Sequence, residues 1–281
     1  IDFQKKKITC KLPLRGKVEE FLSDNREVAL KVLNSQCKKV QNDEEAKATV
    51  IKSFYKLFDG KYAVKFQDLS EADQKRILSA KVQHYLPWRC VYKQSISTPC
   101  RTVMDASSRT PLLRNGQGGR CLNDLTMKGK VNTLDLLTML LRFVIGHVAF
   151  AGDLKQFYTS MALDPSQWNL QRVLWREGLE MSAEVEEIVI LSLIFGVRAV
   201  SALSEWALKL LADHVRSRNP RLSELLEKAR FVDDLGDSDE SVEAVKKLIA
   251  KADELFDSVG LQCKGWSISG SNPHPDVSKD G

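Results

Sequence analysis

Three carboxylates in this sequence follow short apolar runs, a placement typical of acids at the ends of buried strands. Asp153 ends one apolar run, and the pair Asp233–Asp234 ends another. A carboxylate in such a place is unstable unless a cation pairs with it. If the two strands are neighbours in one sheet, the three carboxylates meet at one edge, where Mg²⁺ is the cation that oxygen ligands and phosphates share. Two such ions about 4 Å apart can drive phosphoryl transfer.

Each acidic site also has a structural interpretation. Asp233–Asp234 can also be interpreted as an acidic turn, because further acidic residues follow it toward the start of a helix. For Asp153 the alternative is a helix cap. The functional interpretation is favoured by the combination, since both sites end apolar runs and a basic segment lies upstream.

That basic segment covers residues 81–130. It contains nine Lys and Arg residues against Asp105 and Asp124, so its net charge is +7, whereas the whole chain carries +5. A basic segment beside a neutral-to-acidic remainder suits a partner rich in phosphate. A solvated basic loop has the same composition and is the alternative.

Composition limits the class of protein. The six cysteines are scattered without a C-x-x-C spacing, which favours free thiols in a reducing, cytoplasmic compartment over zinc or disulfides. No stretch resembles a signal peptide. The most apolar window, 133–152, contains Asp135, Arg142 and His147, which predicts a buried helix followed by a strand and no membrane span.

Hydrophobic periodicity predicts the elements that position the acids. The predicted helices are 17–60 (with breaks), 70–80 with Ser70 as cap, 134–144, 200–215 and 241–259. The predicted strands are 147–152, 187–195, 230–232 and 261–268, with Gly236 in a turn and strands and loops over 83–130. The expected fold class is therefore α+β, with helices packed on one face of a small antiparallel sheet.

Several motifs, in this order along the chain, resemble those of reverse transcriptases. Phe231-Val-Asp-Asp234 resembles the motif with the catalytic Asp pair, and Ala151-Gly-Asp-Leu-Lys-Gln-Phe-Tyr158 resembles the first catalytic motif. Tyr85-Leu-Pro-Trp88, Arg101-Thr-Val-Met-Asp-Ala-Ser107 and Leu122-Asn-Asp-Leu125 resemble the fingers region of BEL/Pao-type retrotransposons. Also in family order are Leu174-Trp175-Arg176 and Phe195-Gly196. The resemblance covers roughly residues 10–275.

The resemblance implies a fold, an activity and partners. It implies a helical N-terminal extension at 1–80, fingers at 81–148 with part of 165–186, a palm at 149–270 and a disordered tail at 271–281. The implied activity is RNA-directed DNA polymerase, which extends an RNA or DNA template–primer with deoxynucleoside triphosphates. Two Mg²⁺ ions, replaceable by Mn²⁺, would serve as cofactors. The implied location is the cytoplasm, including virus-like particles.

The resemblance also implies roles for the acidic residues. Asp153 and Asp233 would bind both metal ions, and Asp234 would complete the acidic site. Tyr158 would be a steric gate against the ribose 2′-hydroxyl, with packing beside Phe157 as its alternative.

The remaining implied residues would contact the nucleotide. Lys93 and Arg101 would contact the triphosphate, and Phe195 and Gly196 would lie near the nucleotide. Lys264 would be a proton donor to the leaving pyrophosphate. For Lys93, Arg101 and Lys264, an ordinary surface position is the alternative.

Three departures from the family pattern bear on activity. Phe231 stands where Tyr is usual, Gln156-Phe157 where Lys-Met is commoner, and Val200-Ser201 where Ser-Pro is usual. The last departure motivates a second hypothesis, a polymerase-like fold that binds nucleic acid without catalysis. A third hypothesis, an RNA-dependent RNA polymerase, is disfavoured by the aromatic ring at Tyr158.

Overall fold

The computed structural model describes residues 1–92, 94, 99–130 and 136–269. Helices and short antiparallel strands are both abundant, so the fold is of the mixed α+β class. The α-helices are α1 (Val18–Phe21), α2 (Arg26–Val40), α3 (Glu44–Asp59), α4 (Glu71–Leu78), α5 (Leu122–Leu125), α6 (Leu136–Ile145), α7 (Val200–Val215), α8 (Pro220–Lys228) and α9 (Val242–Asp257). The strands are β1 (Thr9–Cys10), β2 (Ala63–Lys65), β3 (Trp88–Tyr92), β4 (Cys100–Met104), β5 (Val148–Leu154), β6 (Ala162–Leu163), β7 (Arg172–Arg176), β8 (Val185–Ile190), β9 (Arg230–Phe231), β10 (Asp234–Asp239) and β11 (Cys263–Ile268).

The chain forms two compact units. The carboxylate unit comprises residues 1–9, 129–161 and the segment from 201 onward, within the described ranges. The second unit comprises residues 10–128 and 162–200. Each unit has its own sheets and its own buried apolar side chains.

The carboxylate unit contains a four-stranded antiparallel sheet in the order β11-β5-β10-β9. Helix α9 has the predicted amphipathic pattern and buries five side chains: Val245, Leu248, Ala252, Leu255 and Phe256. Ser241 caps it by accepting a hydrogen bond from the backbone N–H of Ala244 at 3.2 Å. The predicted helix at 241–259 is thus confirmed.

Helix α6 differs from its prediction. A helix followed by a strand is confirmed, but the expectation that the helix is buried is wrong, because Leu137, Val144 and Ile145 are 61%, 71% and 78% exposed. Apolar residues occupy all sides of this helix, but the side with Met139 and Phe143 is the one that faces β10. The apolar residues on the other sides are therefore exposed. Among the described helices, none has the length and apolar character needed to cross a bilayer.

The second unit contains the three-stranded sheet β2-β8-β7 and the hairpin β3-β4. Its core is aromatic: Phe54 of α3 stacks on Trp175 of β7 with ring centroids 4.0 Å apart. Trp88 packs on both rings and donates its indole N–H to the carbonyl of Leu174 at 2.8 Å. Helix α4 begins at the predicted cap, since Ser70 accepts a hydrogen bond from the N–H of Asp73 at 3.2 Å.

Two further predictions of local structure are corrected. Gly236 lies inside strand β10, opposite Ala151, and not in a turn. A Cβ atom there would lie 2.7 Å from the terminal methyl of Met139, so glycine makes room for α6. The strand predicted at 187–195 ends at Ile190. Leu193 and Ile194 lie beyond the strand but are buried, which is why an apolar run continues there. The predicted tail at 271–281 lies outside the described residues.

Candidate active site

The sheet of the carboxylate unit brings the three predicted acids together. Strands β5 and β10 are adjacent and antiparallel, and Asp153 lies directly opposite Asp234. The backbone N–H of Leu154 donates to the carbonyl of Asp233 at 2.9 Å, which extends the contact into the turn. The strands that carry the acids are therefore neighbours, as the convergence of the three carboxylates requires.

Asp233 lies in a strained turn. Strands β9 and β10 form a hairpin in which Phe231 faces Asp234, so Val232 and Asp233 are its two loop residues. Val232 has a φ of +58°, a left-handed conformation that glycine usually supplies at this position of a tight hairpin. For a β-branched residue this backbone is strained by about 1–3 kcal/mol, and the surrounding structure must enforce it.

Negative charge is concentrated at this end of the sheet. Partial burial, followed by the charges of Asp233 and Asp153, raises the pKa of Asp234, and Lys264 opposes that shift. Lys264 of β11 donates from Nζ to Oδ2 of Asp153 at 2.6 Å. Lys264 thus lies beside Asp153, while its predicted position near the leaving pyrophosphate and its role as a proton donor stay predictions.

The donor chemistry of this end fits a hard divalent cation. Oδ1 of Asp153 is buried and has no hydrogen-bond partner in the structure, and all three side chains supply carboxylate oxygens. The described ranges contain no group of three or more His, Cys, Asp and Glu side chains already arranged around one metal position. Asp153, Asp233 and Asp234 would hold the ion, and Oδ1 of Asp153 is the oxygen that the structure leaves without a partner.

The turn after β5 contains Tyr158, the predicted steric gate. Phe157 is buried in the carboxylate unit, while the neighbouring Tyr158 is partly exposed, and their ring centroids are 5.5 Å apart. Packing in the core is therefore the role of Phe157. The partly exposed ring of Tyr158, five residues after Asp153, remains consistent with a contact to substrate.

The other predicted substrate contacts belong to the second unit. Arg101 is exposed on β4, opposite Val91, and the Phe195 side chain is 50% exposed. Gly196 has a φ of +106°, and a Cβ atom there would lie 2.0 Å from the carbonyl oxygen of Met104. This close contact within the unit is itself a reason for glycine at position 196. Lys93 lies outside the described residues.

Sequence reasoning missed one buried ion pair next to the acidic turn. Arg230 at the start of β9 and Glu205 of α7 are 8% and 6% exposed and are joined by two hydrogen bonds. A signal existed in the sequence: Glu205 shares a helical face with Leu208 and Ala212, which are both fully buried. An acid on such a face predicts a buried cationic partner.

Comparison with known proteins does not assign a family. No protein-family model matches this chain, and no curated protein shows significant similarity to it.

Proposed function

We propose that this chain is the polymerase core of a reverse transcriptase of the BEL/Pao type. One observation carries the proposal: Asp153 lies opposite Asp234 across two adjacent strands, with Asp233 in the turn that joins β9 and β10. The motifs around these acids resemble those of reverse transcriptases, and this resemblance of sequence supports the proposal independently of the strand pairing.

Each acid has a proposed role in phosphoryl transfer. Asp153 and Asp233 would hold two Mg²⁺ ions and Asp234 would complete the site; when bound, the ions would supply charge stabilisation for the attacking and leaving oxygens. Tyr158 excludes the ribose 2′-hydroxyl, and Lys264 protonates the leaving pyrophosphate.

The proposal also includes the nucleotide contacts that the family resemblance implies. Arg101 and Lys93 contact the triphosphate, and the segment at Phe195 and Gly196 lies beside the nucleotide. The substrates are an RNA or DNA template–primer and deoxynucleoside triphosphates, and the proposed compartment is the cytoplasm.

Primer extension on an RNA template tests the proposal. The protein is supplied with deoxynucleotides and Mg²⁺ or Mn²⁺, with and without a chelator, beside the variants Asp233→Asn and Asp239→Asn. The second variant is the matched control, because it is the same substitution in the same hairpin at a residue that pairs with Arg221. We expect metal-dependent extension that is lost in Asp233→Asn and kept in Asp239→Asn.

A second candidate function is binding of template–primer without catalysis. It is favoured by the departure from the family pattern at Val200-Ser201 and by the ion pair of Lys264 with Asp153, which engages one oxygen of a proposed metal ligand. Salt-sensitive binding of template–primer by a protein that extends no primer under any of these metal conditions would favour this function over the polymerase.

A further inference from the structure

The buried ion pair of Glu205 and Arg230 is linked directly to the strained turn. Nη1 and Nη2 of Arg230 donate to the two carboxylate oxygens of Glu205 at 2.7 and 2.6 Å. Nε donates to the carbonyl of Leu226 in α8 at 3.2 Å. Nη1 also donates to the carbonyl of Val232 at 3.0 Å. That carbonyl belongs to the peptide bond between Val232 and Asp233.

These contacts form a short chain from helix α7 to an acidic residue. Glu205 fixes the guanidinium of Arg230, the guanidinium fixes the Val232 carbonyl, and the Val232–Asp233 peptide sets the direction in which Asp233 leaves the turn. A backbone at a φ of +58° in a β-branched residue persists only where surrounding contacts enforce it. The hydrogen bond from Arg230 is such a contact.

Stability alone is a poor reason for this pair. Taking two charges out of water offsets most of their attraction, so an apolar pair of similar volume is often as stable. A buried ion pair can instead serve to fix the positions of neighbouring groups. Here the group that it fixes is the Val232 carbonyl, which accepts a hydrogen bond from Arg230.

We infer that Glu205 and Arg230 are positioning residues, which hold the Val232–Asp233 turn in the conformation that presents Asp233 to a divalent cation. The inference rests on the proposed function for the identity of the metal site, and it adds two residues outside the motifs to that site. Neither residue contacts substrate or metal in this assignment; both act through the backbone of the turn.

The same unit offers a matched control pair. Arg221 donates from Nη1 to Oδ2 of Asp237 at 2.6 Å, and that carboxylate is 3% exposed. This pair joins α8 to strand β10 of the same hairpin, at residues away from the turn. Loss of either pair should lower the stability of the unit, whereas only loss of the Arg230 pair should change the metal site.

Binding of Mn²⁺ to the free protein, followed by electron paramagnetic resonance without nucleotide or template, measures the metal site apart from activity. We expect Arg230→Lys, which keeps the charge but loses the planar fork, to weaken Mn²⁺ binding about 10-fold. Glu205→Gln, a milder change that keeps the shape, should weaken it in the same direction. Arg221→Lys should change it by less than about 2-fold, a limit set by its distance from the ligands.

A second background separates positioning from general destabilisation. Glycine adopts a positive φ without strain, so Val232→Gly should remove the need for the clamp. In that background, Arg230→Lys should weaken Mn²⁺ binding by less than about 2-fold, because the turn no longer depends on the lost contact. Urea unfolding of every variant confirms that each is folded where binding is measured.

The outcomes distinguish this inference from the proposed function. Equal weakening by Arg230→Lys and Arg221→Lys, or undiminished weakening by Arg230→Lys in the Val232→Gly protein, would overturn the positioning role. The protein could instead extend no primer and still bind Mn²⁺, with binding lost in Asp233→Asn and weakened in Arg230→Lys. That result would reject the polymerase and uphold the positioning role. If the wild type extends a primer and Arg230→Lys does so at the same Mn²⁺ concentration, the polymerase is upheld and the positioning role is rejected.

Discussion

The acidic residues at the two ends of strand β10 differ in their hydrogen-bond and ion-pair partners. At the far end, Asp237 accepts hydrogen bonds from Arg142 at 3.1 Å and Arg221 at 2.6 Å, and Arg221 also contacts Asp239 at 3.3 Å. At the near end lie Asp233 and Asp234, which are joined across the ladder by Asp153. Within the described ranges, the ion pair at this end is that of Lys264 with Asp153.

This difference separates acids that are satisfied within the fold from the acids that we propose as metal ligands. Where an acid serves the fold, the chain supplies arginines that satisfy it, as at Asp237. At the near end, partial burial and then the charges of Asp233 and Asp153 raise the pKa of Asp234, and Lys264 only partly offsets this shift. The near end is thus suited to a metal ion, whereas the far end is complete without one.

The largest effect expected is loss of activity at the near end. Asp153→Asn should reduce single-nucleotide incorporation at least about 100-fold, because it removes a proposed ligand of both metal ions. Rapid-quench measurement with a saturating template–primer tests this. Asp257→Asn is the control, since it is the same substitution in the same unit at an exposed acid that pairs with Lys6. An equal loss in both variants would mean that the substitution acts through the fold and not through a metal ligand.

At the far end, the corresponding substitution should affect stability. Asp237→Asn removes the buried carboxylate charge that accepts hydrogen bonds from two partly exposed guanidinium groups, so the free energy of unfolding should fall by about 2 kcal/mol. Urea denaturation measures it. Under conditions where the variant is folded, its incorporation rate should stay near that of the wild type. A folded Asp237→Asn protein as inactive as Asp153→Asn would contradict the division between the two ends.

This contrast was only partly predictable from the sequence. Apolar periodicity located α7 and α9, and the runs before Asp153 and Asp233 located β5 and β9. Strand β10 was missed, because Asp-Leu-Gly-Asp-Ser-Asp has low strand propensity and three acids that suggest a solvated turn. Its ladder with β5 and the arginines of α6 and α8 override that preference. Those partners are distant in sequence, so no local pattern indicates them.

The same reason explains what was missed at the candidate site. The motif around Asp233 could be recognised from adjacent residues, but its support by Glu205 and Arg230 depends on a contact across 25 positions. The exposed outer face of α6 was missed because composition does not distinguish a helix that is buried all round from one that is covered on one side.

A smaller effect is expected beside the near end, at Tyr158. Replacement by Ala should lower discrimination against ribonucleotides about 10-fold or more, because removing a ring opens space for a 2′-hydroxyl. The ratio of incorporation efficiencies for matched deoxy- and ribonucleotides measures it. Phe157→Leu is the control, since that side chain is buried and its replacement should alter stability without altering the ratio. Unchanged discrimination in Tyr158→Ala would reject the steric role.

The smallest effect concerns the charge of Asp234 itself. Its pKa is raised above the ordinary value of 3.8 by burial and by the neighbouring carboxylates, so the folded state binds this proton more tightly than the unfolded state does. The stability that the protonated form contributes is fully present below pH 3.8 and is lost as the pH rises through the raised pKa. At neutral pH the ionised side chain is therefore destabilising.

Asp234→Asn should accordingly stabilise the metal-free protein at pH 7, by about 0.5 kcal/mol after allowance for solvent screening of a largely exposed group. Below about pH 3.8, where Asp234 is protonated in both states, the gain should disappear. Urea denaturation in chelator across this pH range measures both. Asp237→Asn should change stability in the opposite direction on the same strand. A loss of stability in Asp234→Asn at pH 7 would mean that its carboxylate has a cationic partner after all, and that both ends of β10 are structurally satisfied.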